Sequence, residues 1–369
     1  LIDSHKSTLI FTNSRTIAEM LGHRFNELGR QDVAVHHGSL SKEERASIED
    51  AFKSGELKAI ICTSTLELGI DIGSVDLVVQ YMSPRHVNSL IQRVGRSGHQ
   101  LKRLSQGTII TVYPDDTLES IAAIENAATA KLESIKFHEN ALDVLAHQIA
   151  GITIEKDYVT LKELSEIVHR AYSYRAFDEK QLLNLIRFLD TIGNIRYIEE
   201  GQLLRRTGKT KPYYYNNLSM IQDERRYPVI NVLSDRIIGS LGDEFMTLHA
   251  RIGLHFIMRG KVWRIVQIEE ETGIVHVITS EDPFAAIPGW DGEILPVPYE
   301  LAQQTGIMRQ KIGDMIKQGK TAETVAKELS EEMKTNEQTL LSSVQEIEEH
   351  LKDNAPLPTE SRILIESFD

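Results

Sequence analysis

Several things are scarce in this chain of 369 residues. It has one cysteine and two tryptophans, and no apolar run approaches the length of a membrane span. A lone cysteine excludes a disulfide framework. Cys62 ends the run Ala59-Ile60-Ile61-Cys62, where a thiol reads as a small buried hydrophobe. No secretory pattern of basic, apolar and cleavage regions opens the sequence. A cytoplasmic protein with no membrane partner is expected. Of thirteen histidines, none pairs with cysteine or carboxylates at metal spacing, His36 and His37 included, so no metal site is expected. Internal repeats, low-complexity tracts and Pro/Ser-rich linkers are absent, which predicts domains packed against each other.

A phosphate cradle of the form Gly-x4-Gly-Lys-Ser/Thr is missing too. Gly208-Lys209-Thr210 has Leu203 where the first glycine belongs. Gly313 stands one residue too far from Gly319-Lys320-Thr321, beside helix-period sequence rather than after an apolar strand. Both are decoys. The sequence begins mid-pattern, just before a core strand, and ends on Ile363-Leu364-Ile365-Glu366-Ser367-Phe368-Asp369. A piece of a longer protein is expected.

Basic residues number 41 against 54 acids, a net charge of −13 that speaks against a nucleic-acid partner. The distribution reverses that argument. Residues 314–369 hold thirteen acids and six bases, so seven of the excess charges lie there. Residues 203–215 carry Arg205, Arg206, Lys209 and Lys211 with no acid. Screening confines interactions to about 10 Å, so local sign matters more than the total. Phosphate contacts are expected at Arg205 and Arg206, and the adjoining Tyr213-Tyr214-Tyr215 either stack on bases or alternate in a strand.

The most informative run present is Gln92-Arg93-Val94-Gly95-Arg96-Ser97-Gly98-His99. Arginine stays charged and offers forked donors that match phosphate oxygens, while glycine lets backbone approach a ligand closely. Upstream lies Thr63-Ser64-Thr65-Leu66-Glu67-Leu68-Gly69-Ile70-Asp71. Over residues 8–113, short β-branched runs alternate with helix-period stretches at 15–28 and 41–54, the second opened by a Ser41/Glu44 capping box. Strands apolar on both faces between helices predict a covered parallel sheet, with ligands beyond its carboxyl ends.

Residues 115–150 read as one connecting helix. Two amphipathic helices over 160–192, capped at Thr160 and Asp178, precede a strand pair over 195–204. That order suits a winged helix or a small helical linker domain. From about 226 the pattern is strand-rich, with a hairpin over 260–278 in which Trp263 reads as buried, and residues 299–353 are helical and acidic.

These elements resemble the second motor domain of a superfamily 2 helicase. Leu9-Ile10-Phe11-Thr12-Asn13-Ser14-Arg15 resembles motif IV, Val35-His36-His37-Gly38-Ser39-Leu40-Ser41 the next strand and loop, and the two runs quoted above resemble motifs V and VI. The wording is closest to the large helicase-related (Lhr) family. Ala141-Leu142-Asp143-Val144-Leu145-Ala146, Arg170-Ala171-Tyr172-Ser173-Tyr174-Arg175 and Ile287-Pro288-Gly289-Trp290-Asp291-Gly292-Glu293 resemble its later domains. The resemblance implies an α/β, RecA-like domain over 1–135, a winged-helix domain over 136–225 and a mixed α+β core domain over 226–369.

It also implies an ATP-dependent helicase. Arg93 and Arg96 would face the γ-phosphate as arginine fingers, and Gln92 would orient phosphate or water. Gly69 and Asp71 would line the nucleotide, unless Asp71 is a loop cap. Thr12, Asn13, Ser14, Arg15, His37, Gly38, Thr63 and Ser64 would touch the tracked strand, and Trp290 would stack on a base or anchor its own loop. Mg2+ accompanying ATP would be held by an N-terminal first motor domain, outside this sequence. The implied partner is single-stranded DNA or an RNA–DNA hybrid, tracked 3′ to 5′ in a repair setting. A winged-helix regulator with a ligand domain would leave the arginine motif unused. A non-catalytic interaction module is the third reading.

Overall fold

The computed structural model describes all residues except 69–71, 99–104, 136, 222–224, 270, 281–286, 289–294, 353–354 and 365–369. Gly69, Asp71 and Trp290 therefore lie outside the described residues. The chain forms two compact units, residues 1–133 with 225–369 and residues 134–224.

In the first unit the apolar runs become β1 (Thr8–Phe11), β2 (Val33–His36), β3 (Ala59–Cys62), β4 (Leu77–Tyr81) and β5 (Gly107–Ile110). All pair in parallel, in the order 2-3-1-4-5. Alternate side chains feed opposite faces. Leu9, Phe11, Ile60, Cys62 and Val78 meet Ile48 and Phe52 of α2 (Lys42–Ser54), whereas Ile10, Ala59, Ile61 and Val79 meet Ala18 of α1 (Arg15–Glu27). Ser14 caps α1 by accepting from the Ile17 amide at 3.2 Å, and Ser41 caps α2 by accepting from that of Glu44 at 3.2 Å. α3 (Val87–Val94) and α4 (Pro114–Ala128) follow β4 and β5.

The expected single helix over 115–150 is two. α4 ends at Ala128 and α5 (Leu142–Glu155) begins the second unit. Ala130 and Asn140, both at φ near +60°, stand between them, and that backbone conformation cannot continue a helix. β6 (Tyr158–Thr160), α6 (Leu161–Arg170), α7 (Glu179–Thr191), β7 (Ile195–Ile198) and β8 (Leu203–Arg206) follow. The strands form an antiparallel sheet in the order 6-8-7. Thr160 and Glu163 form a complete capping box, and Leu164, Leu182, Ile186 and Leu204 fill the core. α8 (Thr210–Asn216) overturns the strand reading of the three tyrosines. Pro212 lies in its first turn, where no intrahelical amide is needed, and Tyr214 stacks on His147 with centroids 4.3 Å apart.

The chain then returns to the first unit with β9 (Arg226–Asn231), β10 (Arg236–Gly242), α9 (Asp243–Leu248), β11 (His255–Met258), β12 (Lys261–Glu269), β13 (Ile274–Thr279) and β14 (Ile287–Pro288). They form one sheet in the order 10-9-13-12-11-14. Trp263 is buried in its core, donating to the Met258 carbonyl at 2.8 Å. α10 (Tyr299–Lys317), α11 (Ala322–Met333) and α12 (Glu337–Lys352) bury Leu301, Met308, Ile312, Val325 and Val344 against Leu118 and Ile121 of α4.

Candidate nucleotide and nucleic-acid site

The carboxyl ends of β1, β2 and β3 release Thr12 and Asn13, His37 and Gly38, and Thr63 and Ser64 onto one edge of the parallel sheet. α3 brings the arginine motif to the same edge. The Glu133 carboxylate holds its first turn, accepting from the amides of Val87 and, at 3.1 Å, Asn88, where an anion is favoured by the helix dipole.

Arg93, expected to face a phosphate, is instead turned into the protein, with 1% of its surface exposed. Its Nε donates to Glu67 Oε2 at 3.0 Å and its Nη1 donates to Asn13 Oδ1 at 3.1 Å and Gln80 Oε1 at 2.8 Å. The guanidinium carbon lies 5.4 Å from the centre of the Phe11 ring. A buried cation needs this full set of acceptors, and satisfying it inside fastens the ends of β1, β3 and β4 together. Arg96 is half-buried, with Nε and Nη2 donating to the Glu67 carbonyl at 3.0 and 2.9 Å. Half-buried rather than enclosed, Arg96 is the more accessible of the two motif arginines. Gln92 is half-buried on α3.

Glu67 organises both arginines and also accepts from the Ser89 hydroxyl at 3.0 Å. Sequence reasoning passed over it, although an acid inside Thr63-Ser64-Thr65-Leu66-Glu67 was a signal. Other expected strand contacts have internal partners. Thr12 is fully buried and donates to the Ser14 carbonyl at 2.9 Å, Ser14 caps α1, and Arg15 donates to Ser39 Oγ at 2.9 Å. His37 is fully buried against Glu19, 2.8 Å from Nε2 to Oε1. Gly38 is half-buried, Thr63 buried and Ser64 exposed.

Three groups here have shifted proton affinities. Burial pushes the Cys62 thiol far up, so it is inert. Burial also raises Asp116, outweighing the Ser83 and Val112 amides that donate to its oxygens at 2.5 and 2.9 Å. Burial lowers His36, against the opposing pull of Glu49 at 3.0 Å. Among the described residues no three His, Cys, Asp or Glu side chains gather as a metal site. No helix among them is long and apolar enough to cross a membrane. In the second unit Arg205 and Arg206 are exposed on β8, and Arg206 pairs with Asp157 at 3.1 Å. The phosphate-loop decoys are structural. Gly319 turns at φ +88° between α10 and α11, while the buried Thr210 hydroxyl donates to the Asn194 carbonyl at 2.5 Å.

A five-stranded parallel sheet with an arginine-bearing helix at its carboxyl edge is the second motor domain of the helicase class, and residues 1–100 match the family described as helicase conserved C-terminal domain. Residues 125–283 match the winged helix domain of the large helicase-related protein. Over its whole length the chain is similar to the large helicase-related (Lhr) helicases. It is 30% identical over its whole length to the ATP-dependent helicase Lhr-Core of Saccharolobus solfataricus and 32% identical to that of Methanocaldococcus jannaschii, spanning 43% of each. Its fold is similar to that of the Mycobacterium smegmatis helicase Lhr bound to ssDNA and AMP-PNP. The TM-score is 0.65 at 24% identity, covering 95% of this chain and 42% of that one.

Proposed function

We propose that the chain is the second motor domain, winged helix and core domain of an ATP-dependent helicase that tracks single-stranded DNA 3′ to 5′ and unwinds DNA or RNA–DNA hybrid. The observation that carries this reading is the grouping of Arg96, Glu67 and the strand-end loops on one edge of the parallel sheet. In this reading Arg96 swings from the Glu67 carbonyl to the γ-phosphate when a first motor domain closes over ATP. Arg93 stays inside and carries the movement of α3 to Asn13 and the β1 end. Gln92, Gly69 and Asp71 line the nucleotide. Asn13, Arg15, Gly38, Thr63 and Ser64 grip the strand, with Arg205, Arg206 and Trp290 as outlying contacts. Mg2+ bound by the first motor domain would neutralise phosphate charge. The cytoplasmic setting and a role in repair are part of the proposal.

ATP must be sandwiched between two motor domains, so this chain alone should not hydrolyse it detectably. Joining a first motor domain in cis should restore strand-stimulated hydrolysis. Arg96→Ala in the joined protein should then lower kcat about 10³-fold, the scale of an arginine finger. Robust turnover by the chain alone, or full turnover by the Arg96 variant, would overturn the reading.

A further inference from the structure

Helix α1 turns Glu19, Gly22 and Asn26 to one side, at spacings of three and four residues that share a helix face. The turn joining β11 to β12 sits in that socket. Glu19 Oε1 accepts from the Arg259 amide at 2.7 Å and Oε2 from the Gly260 amide at 2.5 Å, while Asn26 Nδ2 donates to the Gly260 carbonyl at 2.8 Å. Arg259 and Gly260 hold φ of +60° and +66°, the left-handed pair of a tight hairpin. A Cβ at Gly260 would stand 2.8 Å from Asn26 Nδ2 and 3.0 Å from the backbone of Gly22, so only glycine fits. The Arg259 guanidinium also reaches Glu44 of α2.

The carboxylate of Glu19 is fully buried, and its Oε1 also meets His37 Nε2 at 2.8 Å. His37 Nδ1 accepts from the Ser39 amide at 3.3 Å, which places the ring proton on Nε2, facing Glu19. The Ser39 carbonyl accepts from the Ser240 amide of β10 at 3.0 Å, and Leu40 bridges Gly239. The loop leaving β2 is thus held from one side by a carboxylate clamped on the β11–β12 turn and from the other by β10. A surface acid on α1 would need none of this. A buried one is costly unless fully hydrogen-bonded, and here two backbone amides and an imidazole satisfy it.

We propose that Glu19 is a positioning residue. The turn at Arg259 and Gly260 is a plug that locks the strand-rich sheet to the motor sheet. Through Glu19 and His37 it sets the conformation in which the loop leaving β2 presents Gly38 to the tracked strand. This rests on the reading of that loop as a strand contact. The strand-rich sheet then moves with the motor as one lever.

The test uses the chain as it stands, with Glu19→Gln and Gly260→Ala, singly and together. Amide exchange at Ser39 and Ser240 should rise about tenfold or more, the scale of a lost charged hydrogen bond. Amides of β4 should stay protected, and affinity for labelled oligothymidine should fall by a similar factor. The double variant should add little to either single one, because both break the same latch. If Glu19→Gln does not fold, Asn26→Ala, which leaves the carboxylate in place, takes the same measurements. Unchanged exchange at Ser39 in a folded variant would overturn the latch. Raised exchange with undiminished strand affinity would overturn the positioning role. If the unaltered chain holds no oligothymidine, the strand reading of the loop falls, and the exchange measurements decide the latch on their own.

Discussion

Arg93 and Arg96 share one helix end and one residue type, yet their surroundings separate them. Arg93 is enclosed, its donors taken by a carboxylate, two amide oxygens and a ring face, whereas Arg96 is half-buried and donates to the Glu67 carbonyl at 3.0 and 2.9 Å. His36 shows the same rule, that burial decides what a polar side chain does. Its two nitrogens lie 3.0 Å from Thr65 Oγ1 and 3.0 Å from Glu49 Oε1, and burial still lowers its pKa below the ordinary 6.5. A depressed histidine stabilises the fold above its unfolded pKa, and that contribution is lost as pH falls through the folded value. Urea titrations should therefore show stability falling from pH 6.5 downward, and His36→Gln should lose less over the same interval. Equal pH dependence in both proteins would remove His36 from the account.

At the scale of elements, the helices of the acidic C-terminal segment are held by close approach. Gly306 of α10 faces the backbone of residues 359 and 360, and a Cβ there would lie 2.6 Å from the Glu360 nitrogen and 2.7 Å from the Thr359 carbonyl carbon. Backbone cannot rotate aside as a side chain can. Gly306→Ala should therefore cost about 1–3 kcal/mol by overpacking, outweighing the gain of nearly 1 kcal/mol in helix propensity. Gly208→Ala, where nothing lies within 4 Å of the added carbon, should change stability by less than about 0.5 kcal/mol. Thermal melts of the two variants against the parent check both values, and equal melting temperatures would show that the 359–360 segment yields.

Across the whole molecule, charge is uneven. A net −13 coexists with an exposed arginine pair on β8 of the second unit. Arg206 is partly neutralised by Asp157, so Arg205 is the stronger candidate for a phosphate contact. Arg205→Gln should flatten the dependence of log binding constant on log salt by roughly 0.7, and Arg206→Gln by less, with equal effect on every strand sequence. A slope unchanged by both would assign this edge to protein packing.

The sequence by itself determined the parallel sheet, the capped helices, the helix–helix–hairpin order and the resemblance to Lhr helicases. Each is written in local alternation, in Ser41, Thr160 and Asp178 at helix starts, or in a contiguous motif. It missed the break after α4, because left-handed residues at Ala130 and Asn140 leave no periodic trace. The tyrosine run gave no local decision between strand and helix; packing on His147 made it α8. Only the tertiary structure turned Arg93 inward, since its acceptors come from Asn13, Glu67 and Gln80, which no spacing rule joins. The same holds for Glu19 and Gly260, 241 residues apart. A buried charge is set by what surrounds it in space, and that is settled when the sheets and helices close.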